Sequence, residues 1–265
     1  MKLRIFCVVL MIWLASATAA DAQFWEQKEW KTWSKAECEK MLSDSPWTRP
    51  FQTTVYKEGA SGMSSGTQGF QGENRAELGY TVQLRSALPI RQAVVRMAMI
   101  ENKYDEMPEA KKKEFDERAN EYLNQSFANR VVAHVIYRTN LQEIDRFLAQ
   151  YWQQSDERVI PATGDLIGPR GDRIRPVRFL SQVGGAREFE LIFPREVNGE
   201  NLAKENDREF SIEMPDMPIL VLRGLGFESR RQDLQAAERG AQKTERRVLV
   251  HFDLRKMTFQ NKLEY

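Results

Sequence analysis

The chain has 265 residues, of which 39 are lysine or arginine and 38 are aspartate or glutamate, so its formal net charge is +1 at pH 7. Charged residues make up 29% of the sequence and hydrophobic residues 42%, proportions that are ordinary for a folded protein. The near-zero net charge argues against partners that a global electric field would recruit, above all nucleic acid.

The first 22 residues have the pattern of a cleavable export signal. Lys2 and Arg4 form a basic start, an apolar run follows from Ile5 to Leu14, and small residues lead to Ala22. The apolar run is about half of the roughly 20 residues that span a bilayer core, so an uncleaved membrane anchor is the less favoured alternative. No later stretch is apolar enough to span, and we therefore predict an exported protein, periplasmic or extracellular, that begins near Gln23.

Two cysteines are present in the chain, Cys7 and Cys38. Because Cys7 lies within the predicted signal peptide, its removal leaves Cys38 alone in a compartment that permits disulfides. An intrachain disulfide is then impossible. We expect Cys38 to be a small buried apolar residue, and the alternative is a thiol that forms an intermolecular bridge.

Four of the chain's six tryptophans lie in one short N-terminal segment. They are Trp25, Trp30, Trp33 and Trp47. One interpretation is that they pin a short helix onto the main body of the protein. The other is that they form a flat aromatic platform for sugar rings or a partner peptide, which makes them candidate binding residues.

Local signals place a helix within this segment. Ser34 followed by Glu37 has the spacing of a capping box, in which each side chain satisfies a backbone N–H of the other residue at a helix start. Trp33 before the cap and Cys38 in the first turn fit a hydrophobic staple. The helix should end before Pro46, because the residue preceding a proline disfavours helical backbone.

The spacing of apolar residues then predicts both strands and helices through the first half of the mature chain. The predicted strands are Phe51–Tyr56, Leu78–Leu84 and Val131–Arg138, the predicted helices are Ile90–Ile100, Phe115–Leu123 and Leu141–Trp152, and Gly59–Asn74 is a predicted mobile loop. After Pro161 the pattern changes to strands and turns. The predicted strands there are Ile174–Val183, Glu188–Phe193, Phe210–Glu213, Ile219–Arg223 and Arg247–Arg255, with an exposed segment at Ser229–Gly240.

These elements predict an α+β fold with an N-terminal helix, central helices and a C-terminal antiparallel sheet or sandwich. We expect one domain over residues 23–265, helix-rich over 23–155 and strand-rich over 156–265. Gly184-Gly185 separates two of the predicted strands and indicates a hairpin.

Short runs at the two ends of the chain carry a resemblance to a known family. They are the pair Trp30 and Trp33, Cys38, the run Asp44-Ser45-Pro46-Trp47, and the closing run Lys256–Tyr265. They resemble a family of exported bacterial proteins of unknown function, and the resemblance covers the ends better than the middle. It implies export and a shared fold, and it brings no activity that could be transferred to this chain.

The sequence offers little support for catalysis. The chain has two histidines, and we expect His134 to be a half-buried strand residue, while His251 shares a predicted strand face with Asp253 and Arg255. No nucleophile-elbow motif is present, and no histidine or cysteine pair has the spacing of a zinc site. We therefore predict no catalytic residues, no metal ligands and no cofactor.

The arginines around residue 173 form the strongest local charge feature. Arg173 and Arg175 should share a strand face and hold phosphate or carboxylate groups, which makes them candidate binding residues. A solvated edge strand explains the same pattern equally well. No aromatic residues are interleaved with these arginines, which weakens the case for nucleic acid further.

Two functional hypotheses follow. The first is a non-catalytic binding or structural module of the cell envelope or secretome, whose partner is an envelope protein or a glycan. The alternative is a hydrolase of carbohydrate or cell wall that uses two carboxylates which the sequence does not identify. A deep cleft with two facing carboxylates would favour the enzyme, and a flat face or an open sheet edge would favour binding. The oligomeric state is left open.

Overall fold

The structure is a computed structural model, and it describes residues 23–57, 75–154, 164–181, 183–218, 227–228 and 245–265. The predicted signal peptide, the predicted loop Gly59–Asn74, the predicted strand Ile219–Arg223 and the segment Ser229–Gly240 lie outside these residues. The helices of the described chain are Phe24–Gln27 (α1), Lys35–Ser43 (α2), Leu88–Glu101 (α3), Glu109–Asn124 (α4) and Gln142–Gln154 (α5).

The strands fall into two sheets and two small hairpins. In chain order they are Thr48–Lys57 (β1), Arg75–Leu84 (β2), Arg130–Thr139 (β3), Asp165–Ile167 (β4), Arg173–Ile174 (β5), Arg178–Ser181 (β6), Glu188–Pro194 (β7), Glu196–Val197 (β8), Glu200–Asn201 (β9), Glu209–Pro218 (β10), Phe227–Glu228 (β11), Glu245–Asp253 (β12), Thr258–Phe259 (β13) and Lys262–Leu263 (β14). The large sheet has the order β11-β1-β2-β3-β7-β6 and the second sheet the order β12-β10-β4-β5.

Neighbouring strands in both sheets run antiparallel. The fold is therefore α+β with a C-terminal region made mainly of sheet, as the sequence predicts. The first half of the chain contributes more strand than a helix-rich region suggests, because β1, β2 and β3 form the centre of the large sheet.

One predicted strand is wrong as drawn. The run Ile174–Val183 contains Pro176, and the structure divides it into β5, which pairs with β4 in the second sheet, and β6, which pairs with β7 in the large sheet. A proline lacks the N–H that a central strand must donate, so the chain leaves one sheet and enters the other around this residue. The hairpin at Gly184-Gly185 does connect β6 to β7 as predicted.

One face of the large sheet is apolar and packs into the core. Leu78, Tyr80 and Val82 of β2 are buried there. On the same face the ring of Phe189 stacks on Trp152 of α5, with ring centroids 4.1 Å apart. The buried apolar residues on this face of the large sheet belong to one hydrophobic cluster with those of α5 and of the second sheet.

The helix α2 forms as its local signals predict. The Ser34 hydroxyl accepts from the Glu37 N–H, and the Glu37 carboxylate accepts from the Ser34 N–H at 2.8 Å, which completes the capping box. Cys38 is buried without solvent exposure, which confirms the structural interpretation of this residue.

The two ends of the described chain meet and hold each other. The Trp47 indole N–H donates to the Glu264 carbonyl at 2.7 Å, and the Gln260 N–H donates to the Glu26 carboxylate. Tyr265, the last residue, is buried, and its hydroxyl bonds to the backbone of Ala203. We call this set of contacts the terminal clasp.

A buried arginine links two helices of the fold. Arg91 of α3 is 6% exposed, and its guanidinium donates to the carbonyls of Tyr122, Leu123 and Gln125, at and just beyond the end of α4. A cation at a helix C-terminus satisfies carbonyls that have no partner within the helix. Burial lowers the pKa of this guanidinium, and the nearby Glu264 carboxylate partly opposes that shift.

Candidate functional site: a groove on the large sheet

The second face of the large sheet carries polar side chains. Because side chains alternate along a strand, the residues between the core positions of β1, β2 and β3 point to this face. Directly opposite residues form rows across it, and one row holds Gln83, His134 and Glu190. Another row holds Gln52, Gly79 and Arg138.

A groove of about 650 Å³ lies on this face. Its floor is formed by β1, β2 and β3, and its wall by Leu42 and Glu39 of α2 together with Met97 of α3. Ligand pockets have volumes of roughly 300–1,000 Å³, so the groove is large enough for a ligand of several chemical units.

The wall of the groove is fixed to its floor by side-chain hydrogen bonds. The Gln83 amide donates to the Leu42 carbonyl at 2.7 Å and accepts from Arg85 Nε at 3.0 Å. Gln83 is buried, which strengthens these bonds because water does not compete for them. The position of α2 over the sheet is therefore set by the sheet itself.

Gly79 leaves a slot in the middle of the floor. A side chain at this position would meet no atom within 4 Å of its Cβ. Gln52 and Arg138 are its direct neighbours on either side, and neighbouring Cβ atoms in a sheet are about 5 Å apart. Gln52 and Arg138 therefore face each other across a gap about one side chain wide, with Thr81 next along the strand.

Arg138 is available to a ligand in this slot. Its side chain is exposed and lines the groove. Among the described residues it has no hydrogen bond, ion pair or ring contact. A guanidinium carries five N–H donors, and no carboxylate of the described residues pairs with this one.

Beside the groove lies a buried histidine between two glutamates. His134 Nδ1 is 3.3 Å from Glu190 Oε1, and its Nε2 is 3.1 Å from Glu188 Oε2, a separation that suits an ion pair but lacks the alignment of a hydrogen bond. Both ring nitrogens can donate together only in the imidazolium form. Gly184 has φ +95, and a Cβ there would lie 2.6 Å from the Glu188 carboxylate, so glycine allows the close approach.

This histidine cluster links two strands, and none of its three residues lines the groove. The His134 side chain is 2% exposed, more buried than the half-buried strand residue that the sequence predicts. Its partners Glu188 and Glu190 both come from β7, so the cluster ties β3 to β7.

The tryptophans do not form the predicted platform. Trp25, Trp33 and Trp47 are buried in the core, and Trp30 is half-buried against it. The Trp25 and Trp47 rings meet edge to face with centroids 5.7 Å apart. The interpretation in which these rings pin the N-terminal segment onto the body is the one the structure shows, and burial removes the faces of Trp25, Trp33 and Trp47 from any ligand.

The structure places the two candidate arginines, Arg173 and Arg175, in different surroundings. The Arg173 guanidinium forms ion pairs with Asp165 and Glu213 on the outer face of the second sheet, so its donors are occupied. These carboxylates raise its pKa above the ordinary value. Arg175 is exposed but lies beyond the end of β5, so the two do not share a strand face.

His251 and Asp253 lie on one face of a strand as predicted, but Arg255 does not share that face. The strand β12 ends at Asp253, and Arg255 lies in the following turn, where it pairs with that aspartate. His251 instead faces Ser211, with Oγ and Nδ1 2.8 Å apart. Glu209 approaches the same Nδ1 atom at 3.8 Å, whereas a catalytic relay needs its acid on the other ring nitrogen.

Within the described ranges, no group of three or more histidine, cysteine or acidic residues is placed to hold a metal ion. No helix in the described part of the chain is both long and apolar enough to cross a membrane.

The residues of the groove were missed by the sequence analysis. Alternation along the strand Leu78–Leu84 places Thr81 and Gln83 on its polar side, and Gly79 lies on the same side. A glycine inside a strand often marks a close approach of a ligand or of another backbone, and this was the available signal. The neighbours Gln52 and Arg138 depend on strand register, which one sequence does not reveal.

No family model matches the chain, and neither a curated protein nor a solved structure matches it. The resemblance in the two terminal segments stays a prediction. Function is therefore argued from the site itself, since a fold alone does not imply an activity.

Proposed function

We propose that the chain is an exported binding module of the cell envelope or secretome, and that the groove on the large sheet holds its ligand, an envelope glycan or protein. The observation that carries the proposal is the open slot over Gly79, flanked by Gln52 and by an Arg138 with no partner among the described residues. A concave surface with a few converging polar groups is the usual form of a binding site.

The position of the slot adds to this argument. It lies in the middle of a sheet, where folded proteins normally fill both faces with side chains or leave a flat solvated surface. Here the wall formed by α2 and Met97 turns the polar face into a groove. Export is supported by the pattern of residues 1–22, and localisation in the periplasm or outside the cell is part of the proposal.

The test uses the protein that begins at Gln23 and its Gly79→Tyr variant. Bacterial envelope material is divided into a purified glycan fraction and a detergent-extracted protein fraction, and retention of each protein is measured on both. We expect the wild type to be retained on one fraction and Gly79→Tyr to lose that retention, because the ring fills the slot. The strand should tolerate this change, since Tyr favours strands and Gly does not.

Thr258→Tyr is the matched control, because it adds the same ring at an exposed strand position outside the groove. Equal retention of the wild type and Gly79→Tyr would contradict the proposal, as would no retention of the wild type on either fraction. Release of soluble sugars from the glycan fraction by the wild type would replace the proposal with the hydrolase.

A further inference from the structure

The charge and chemistry of the groove narrow the class of ligand, on the assumption that the proposed function holds. We infer that the groove binds an acidic glycan, a chain of sugars that carries carboxylate groups, with one carboxylate held by Arg138 over Gly79. Three observations lead to this inference: an available cation, a central strand whose backbone is already paired on both sides, and a mixture of hydroxyl, amide and apolar side chains around the slot.

The first observation concerns the cation. Arg138 is exposed beside the slot and has no partner among the described residues. A guanidinium matches a carboxylate with two parallel N–H bonds, and Gln52 on the far side of the slot offers amide donors to the same group. The acidic residues of the groove compete little for Arg138, because Glu39 is paired with Lys35 at 3.8 Å and Glu77 also has a partner.

The second observation separates a glycan from a peptide. Peptides are commonly recognised by strand addition, which needs the unpaired backbone of a sheet edge. The floor of the groove is made of β1, β2 and β3, where β2 is paired on both sides along the groove. A ligand seated over Gly79, in the middle of β2, therefore meets side chains and a strand backbone that is already paired.

The third observation is the kind of side chain present. Thr54 and Thr81 line the groove with hydroxyl groups, which both donate and accept hydrogen bonds as sugar hydroxyls do. Ile136 and Leu42 are half-buried on the floor and wall and offer apolar surface to the faces of sugar rings. Hydroxyls, amides, the Arg138 guanidinium and small apolar patches together match a sugar acid better than a uniformly charged or uniformly apolar ligand.

The experiment is calorimetric titration of the protein that begins at Gln23 with three soluble probes. The probes are hexagalacturonate, the neutral hexasaccharide maltohexaose, and a hexapeptide of glutamate. We expect hexagalacturonate to bind, to weaken as salt is added, and to bind Arg138→Gln at least roughly tenfold less tightly, since a hydrogen bond to a charged group contributes about 1.5–3 kcal/mol. Arg146→Gln is the matched control, an exposed arginine on α5 at the opposite face of the sheet, and should bind as the wild type does.

The inference is overturned if Arg138→Gln binds hexagalacturonate as tightly as Arg146→Gln, if no probe binds, or if either other probe binds more tightly than hexagalacturonate. Tighter binding of the glutamate hexapeptide would assign the groove to a protein partner. The experiments distinguish a failure of the acidic glycan as the ligand from a failure of the groove as the site. If maltohexaose or the peptide binds and Gly79→Tyr abolishes that binding, the acidic glycan is overturned and the groove is kept as the site. If Gly79→Tyr leaves the binding of a probe unchanged, the groove itself is overturned as the site.

Discussion

Burial decides what single residues can do in this protein, and Cys38 is the clearest case. The thiol has no solvent exposure within α2. Burial raises its pKa to about 11, although the nearby Arg96 guanidinium acts in the opposite direction. The thiolate is the reactive form of cysteine, so both access and ionisation oppose reaction.

We predict that Cys38 is unreactive in the native protein. In the protein that begins at Gln23, a chromogenic disulfide reagent at about pH 8 should leave the native thiol intact and should titrate one thiol per chain after unfolding in guanidinium. The denatured sample is the control for the reagent. Rapid reaction of the native protein, or a covalent dimer on a non-reducing gel, would contradict the buried position of this residue.

At the scale of residues, the sequence predicted contacts between near neighbours better than it predicted the burial of a side chain. The capping pair Ser34 and Glu37 was found because both partners lie within four positions of each other. The burial of Trp47 could not be predicted in this way, because its indole donates to Glu264, a residue 217 positions away. An aromatic residue in a short segment has the same local pattern whether its ring is covered or exposed, and only distant contacts decide between them.

At the scale of elements, the helix α2 forms one wall of the groove, and its start depends on Glu37. Burial raises the pKa of this carboxyl, but hydrogen bonds from Lys28 and from Ser34 outweigh burial, so that the pKa lies below its ordinary value. A carboxyl whose pKa is lower in the folded than in the unfolded state stabilises the fold above the unfolded value, about 4.3 for glutamate. This stabilisation is lost as the pH falls through the folded value.

We therefore predict that Glu37→Gln lowers the free energy of unfolding by about 1 kcal/mol at neutral pH, because glutamine keeps a cap acceptor but loses the charge. The difference from the wild type should shrink as the pH falls below about 4. Urea unfolding at neutral pH and at about pH 3 measures both values. Glu39→Gln in the same helix is the control, and its exposed pair with Lys35 should contribute little at either pH. A difference that does not change with pH would show that the charge of Glu37 is not what stabilises the helix.

Elements with strong local signals were predicted well, and their partners were not. The strand β3 and the helix α5 follow their apolar periodicity closely. The split of the run Ile174–Val183 into two sheets was missed, although Pro176 marks it. Periodicity reports that a segment is extended, but the choice of sheet depends on contacts with β4 and β7 that lie elsewhere in the chain.

At the scale of the whole molecule, the fold brings together residues that lie far apart in the sequence. The terminal clasp joins the tryptophan segment to the closing residues, so the two runs that carry the family resemblance are one structural unit. The groove likewise takes Gln52, Gly79 and Arg138 from three strands. Alternation along β2 makes one side of the floor polar, but the register that aligns the three residues arises only when the sheet assembles.

The central claim is that the groove on the large sheet is the ligand site, and mapping of amide chemical shifts during titration with hexagalacturonate tests it most directly. The prediction is that the shifts concentrate at Gln52, Gly79, Thr81 and Arg138 and saturate together. Shifts concentrated on the outer face of the second sheet around Ser211 and His251, or no shift at all, would contradict it.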